Sequence, residues 1–157
     1  MCATPNKRPI HCSDAMKLEA AAKIAATLLA GGGFGPNTTV DEIAADIVRA
    51  SGRCYDRDGY RLGRALEESC HWDVDFGITE ELEGFYPLCD DLLSAAERQW
   101  ALENPMERSL PDGTTIKVRN EVGTIVGIAQ HSVASYAVKT SSTNGYYVVR
   151  FEDAVPC

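Results

Sequence analysis

The chain reads as an α+β protein: an N-terminal bundle of four to five short helices, then a four-stranded antiparallel β unit. Three observations predict this. Apolar residues recur at helical spacing up to about residue 104. After Pro111, β-branched residues alternate with polar ones. Capping residues, glycines and prolines punctuate the ends of these segments. The 157 residues are 45% hydrophobic and 24% charged, the composition of a folding globular chain.

Residues 1–12 are polar, carry two prolines and read as a flexible arm. Ser13 caps a first helix whose expected apolar row is Leu18, Ala22, Ala25 and Leu29, ended by the glycines 31–33. Thr39 and Glu42 form a capping-box pattern, after which Val40, Ile43, Ala44, Ile47 and Val48 trace one face. A third helix is expected over 58–69, burying Leu62, Ala65 and Leu66. Residues 71–78 read as a loop, and Thr79 opens a short acidic helix. Pro87 breaks the chain, and a last helix is expected over 88–103, with Leu92, Leu93, Ala96 and Trp100 inward. The helical region is thus 13–104.

The β unit is 112–157. Four strands are expected at 114–119, 122–129, 135–140 and 146–151, and their short links make neighbours antiparallel. The pattern Gly113, Ile116, Val118, Gly123, Ile125, Ile128, Tyr136, Val138 resembles small SH3-like barrels, in which glycines relieve sharply bent strands. The resemblance implies either such a barrel or a sheet packed on the helices, in one compact body. Barrels of this kind serve unrelated functions.

Net charge is −8, and all of the imbalance lies in residues 1–105, which hold 10 Lys+Arg against 18 Asp+Glu; residues 106–157 hold 5 against 5. An acidic surface repels phosphate backbones and suits a basic protein surface. No apolar stretch approaches the roughly 20 residues of a membrane helix, and the N-terminus lacks the apolar segment of an export signal. The expectation is a soluble cytoplasmic protein without membrane association. The six cysteines (Cys2, Cys12, Cys54, Cys70, Cys89, Cys157) show no C-x-x-C spacing, so they read as reduced, mostly structural thiols, with neither a zinc knuckle nor a redox motif.

Asp56 to Glu67 spans the length of a calcium loop, but Tyr60 and Arg61 stand where an oxygen ligand and glycine are required. The 31–35 glycine run follows a helix and has no lysine, so it is a helix terminator and not a phosphate loop. Cys70 and His71 are adjacent, and side chains about 100° apart on a helix do not meet as nucleophile and base. Arg57, Arg61 and Arg64 fall at i, i+4 and i+7, a face that could contact an anion or an acidic partner; a solvated face paired with Asp56, Asp58, Glu67 and Glu68 is the plainer reading. Tyr136, Tyr146 and Tyr147 with Phe151 could line a groove, although alternation sends Tyr147 and Phe151 to one side and Tyr146 to the other.

The sequence therefore leads to a non-enzymatic protein-interaction or accessory module, binding another protein or itself, with no cofactor, no metal and no catalytic residues. Its size and lack of motifs suit an accessory protein of a phage, plasmid or other mobile element. Candidate binding residues are Arg57, Arg61, Arg64, Tyr136, Tyr146 and Tyr147. The alternatives are a small enzyme whose site assembles only in three dimensions, with Cys70, His71, Asp73 and Asp75 as first suspects, and nucleic-acid binding through the arginine face.

Overall fold

The computed structural model describes residues 7–142 and 145–157; Cys2 and the rest of positions 1–6, and positions 143 and 144 of the expected 141–145 turn, lie outside the described residues. The elements are α1 (Asp14–Ala30), α2 (Val40–Ser51), α3 (Gly59–Cys70), α4 (Phe76–Glu83), α5 (Phe85–Glu103), β1 (Thr115–Val118), β2 (Glu121–Ile128), β3 (Ser135–Thr140), β4 (Tyr146–Arg150) and a 3-10 turn (Phe151–Asp153). The chain is thus α+β. It divides into a helical unit, Pro9–Ala96, and a β unit made of Met1–Arg8 and Glu97–Cys157.

In the helical unit, short polar side chains set the starts of α1 to α4. Ser13 Oγ accepts the Met16 N–H at 3.2 Å, and Asp58 accepts that of Arg61 at 2.7 Å. Thr39 and Glu42 close a complete capping box, Thr39 Oγ1 accepting the Glu42 N–H and Glu42 accepting the Thr39 N–H. Asp75 caps α4 through the Ile78 N–H at 2.8 Å. This cap moves the start of α4 to Phe76, three residues before the expected Thr79, and shortens the 71–78 loop accordingly. The start of α5 also moves, from the expected Leu88 to Phe85. Pro87 lies in its first turn, where a missing N–H has no intrahelical partner to lose.

The helical core is Ile24, Leu28, Ile43, Ile47, Leu62, Leu66, Leu82 and Phe85, with alanines of α1 and α2 between them. In α1 the buried row is Ala20, Ala21, Ile24, Ala25 and Leu28, and Leu18 is exposed. The expected row is displaced because this helix is rich in alanine on several sides, so tertiary packing chooses the face. Gly59 brings α3 against α4. A Cβ on it would stand 2.6 Å from the Glu83 backbone nitrogen and 2.8 Å from the Thr79 carbonyl.

The β unit is a meander of order β1-β2-β3-β4, every pair antiparallel. The sheet is not closed; β1 and β4 are its edges. A bulge between Ile125 and Gly127 shifts the β2–β3 register by one residue. After β4 the 3-10 turn sends the chain back to the far edge: Ile116 bridges Pro156, the Lys117 N–H donates to the Val155 carbonyl (3.2 Å), and the Cys157 N–H to that of Thr115 (3.1 Å). Ile116, Val118, Ile125, Tyr136 and Val138 form the core face. Gly123 lies on this face because a Cβ there would stand 2.5 Å from Val138 Cγ1.

Arg8, which belongs to this unit, is buried. Its Nη2 donates to the Val133 carbonyl at 2.7 Å, and its guanidinium reaches Glu97 and Glu152, each at 3.4 Å. It also lies over the Trp100 ring, 5.7 Å from the centroid. Among the described residues no helix is long and apolar enough to cross a membrane.

Candidate functional site

The arginine segment starts from the Asp58 cap. Because the cap residue is extended, Arg57 precedes the helix and does not share a face with Arg61 and Arg64. Its guanidinium pairs with Asp90 at 2.7 Å and lies over the Tyr86 ring. Arg61 reaches Asp56 at 3.6 Å, and Arg64 reaches Glu67 at 2.6 Å. Arg61, Arg64 and Arg53 then rim a cavity of about 240 Å³ beside Cys54 and Tyr55, with Asp56 and Glu68 also in its wall. The acids neutralise most of its positive charge. Burial raises the Cys54 pKa, and its Sγ is turned toward the Ala50 and Arg61 carbonyls.

A second cavity, of about 320 Å³, opens between the 33–35 loop, the first half of α2 and the loop after α3. His71 ends α3 in the left-handed conformation (φ 58°), which turns the following residue back toward α2. Trp72 is held there by two contacts. Its indole N–H donates to Asp46 Oδ2 at 3.0 Å, and its ring meets Phe34 edge-on, centroids 4.9 Å apart. Glu42, Asp46 and Asp73 complete the acidic part of the lining. The backbone N–H and hydroxyl of Thr39 hold Glu42 below the usual carboxylate range. Of the four enzymatic suspects, His71 and Asp73 meet at this cavity. Cys70 packs against the helical core beside Ser69, and Asp75 is occupied as the α4 cap. Among the described residues no group of three or more His, Cys, Asp or Glu is arranged to hold a metal ion.

The aromatic residues of the β unit separate by strand parity. Tyr136 is fully buried and its hydroxyl accepts the Leu110 N–H at 2.9 Å, so it is core and presents nothing to a surface ligand. Tyr147 and Phe151 pack against the same core, and Arg119 lies over the Tyr147 ring. Tyr146 points the other way and is exposed. On its face the register sets Lys139 beside Tyr146 and Thr124, Ala137 beside Val148 and Gly127, and Lys117 beside Val122. Val122, Val126, Tyr146 and Val148 are each at least 45% exposed, an apolar surface on an otherwise well-buried sheet. The charges of this face are Lys117, Lys139 and, at its end, Arg150, which faces Glu97 at 3.9 Å. Among the described residues no strand pairs with the outer side of β4.

Of the residues singled out from the sequence, Arg61 and Arg64 line the first cavity and Tyr146 is exposed on the sheet; Phe34, Glu42, Asp46 and Trp72 were not among the binding candidates. The available signal was the placing of bulky aromatics in turns: Phe34 inside a glycine run and Trp72 in a polar loop, positions that large rings occupy when they pack on something. No protein-family model, no curated protein and no solved structure matches this chain.

Proposed function

We propose that this chain is a non-enzymatic protein-interaction module whose β unit is an open sheet curled in the manner of small SH3-like barrels and takes an extended segment of a partner along β4. The observation that carries the reading is the outward sheet face: Val122, Val126, Tyr146 and Val148 are exposed beside an edge strand, β4, whose outer side pairs with no strand among the described residues. Exposed edges of this kind are the template for strand addition, in which backbone bonds give affinity and alternate side chains give specificity. The return of the chain through a 3-10 turn to β1 covers the opposite edge and supports the barrel-like organisation. The charge of the face specifies the partner. Lys117 and Lys139 border the apolar row, so the fitting segment alternates apolar residues with Asp or Glu.

The test is selection of displayed 12-residue peptides against the full chain. Enriched peptides are expected to alternate apolar and acidic residues, and to lose at least tenfold in affinity on Val148→Asp or Lys139→Glu. Tyr60→Ala, on an exposed helical position, leaves them unchanged. Peptides that bind the Val148→Asp protein as well as the unaltered one, or a selection that enriches none, would falsify the reading.

A further inference from the structure

The cavity walled by Phe34 and Trp72 is separate from the sheet face, and its chemistry is opposite. We infer that it is a binding site for an organic cation of amino-acid size: the ammonium or guanidinium end of a basic side chain. Three independent features of the cavity converge on this class. Its volume, about 320 Å³, admits a whole side chain with its stem, whereas a bare ion would leave most of it unfilled. Its aromatic corner is fixed, because the Trp72 indole is tied to Asp46 at 3.0 Å and meets Phe34 in a T-shaped contact at 4.9 Å, so a cation seated against it costs little ordering. Its lining sets three carboxylates, Glu42, Asp46 and Asp73, against one imidazole, His71, with no lysine or arginine.

These carboxylates differ in what they have left to give. Asp46 is spent on both oxygens, Oδ2 on Trp72 and Oδ1 on Arg49 at 2.9 Å, so it positions the ring and does not receive the ligand. Glu42 uses one oxygen, Oε2, for Thr39 and keeps Oε1. Asp73 is exposed and has neither an ion pair nor a hydrogen-bond partner among the described residues. The ligand's charge is therefore received by Asp73 and Glu42, and its stem by the aromatic corner and Ile78. The −8 charge of residues 1–105 steers such a cation toward this unit. An anionic ligand would face three carboxylates, with the His71 imidazole and the Thr38 hydroxyl as the side-chain donors opposite them.

The test is two-dimensional NMR of the full chain titrated with N-acetyl-arginine amide and N-acetyl-lysine amide, with N-acetyl-norleucine amide as the neutral isostere. The Trp72 indole cross-peak is assigned by its loss in Trp72→Phe. Saturable shifts are expected at that indole and at residues 33–35 and 71–73, with Kd on the order of millimolar for a single side chain. They should weaken several-fold in 0.5 M salt and be absent with norleucine. Glu42→Gln keeps the capping box and Asp73→Asn alters an exposed residue, so both leave the helices intact; together they should weaken binding at least fivefold. Equal shifts with norleucine, shifts confined to other surfaces, or unchanged affinity in the double variant would each overturn the assignment.

Discussion

Arg8→Ala removes a buried side chain that makes three polar contacts within the β unit. The loss is worked from its surroundings. A hydrogen bond from a charged donor to the Val133 carbonyl disappears, about 1.5–3 kcal/mol. Glu97 and Glu152 are left without the cation between them. In a fully buried pair, removal of one partner costs about 3–5 kcal/mol. Here Glu97 and Glu152 are 21% and 31% exposed, and Arg150 stands 3.9 Å from the same Glu97 oxygen, so water and a second guanidinium absorb part of that cost. The expected destabilisation is about 2–3 kcal/mol, a drop in Tm of roughly 5–10 °C for a chain of this length. Thermal unfolding followed by circular dichroism measures it. Arg8→Lys should recover less than half, because a point ammonium does not span a carbonyl and two carboxylates as the guanidinium fork does. A Tm within 1 °C of the unaltered protein for Arg8→Ala would refute the account of this residue as a buried tie.

Gly59→Ala drives a methyl group into the α4 backbone and should cost about 1–3 kcal/mol in urea denaturation; unchanged stability would mean the helices slide apart freely. Tyr136→Phe leaves the Leu110 N–H without its acceptor and should cost about 1 kcal/mol with the fold retained, read by the same method. Burial, helped by the neighbouring Cys12 thiol, pushes the Cys89 thiol up to about 12, so native Cys89 should resist iodoacetamide at pH 8 while exposed Cys157 reacts, as peptide mass spectrometry would show. The folded pKa is raised, so the unfolded chain releases this proton first. The contribution to stability is full below about pH 8.5, the usual thiol value, and is lost as pH rises toward 12. A melting temperature independent of pH above 9 would contradict this.

The starts and ends of the elements were legible where a side chain acts on its own backbone. Ser13, Thr39, Glu42 and Asp58 announce their helices within three residues, and alternation alone separated Tyr146 from Tyr147 and Phe151. Legibility failed where two local signals competed. Asp75 and Thr79 both suit a helix start, and the earlier one won because it caps Ile78. Arg57 fits a helical face by spacing but lies before the cap, so its charge goes to Asp90 instead. In α1 the alanines leave no distinct stripe for spacing to find.

By itself the sequence determined the order and type of the elements, the antiparallel meander and the concentration of negative charge in the helical part. These follow from 3.6- and 2-residue periods and from bonds between residues three or four apart. Only the tertiary structure decided which distant side chains share a surface or a cavity. Arg8 meets Glu97 and Glu152 across separations of 89 and 144 residues, and Trp72 meets Asp46 across 26. No local pattern encodes such meetings, since they depend on where helices and strands pack after they form. The same packing buried Tyr136, left Tyr146 exposed, and brought Phe34, Trp72, Glu42 and Asp73 around one cavity.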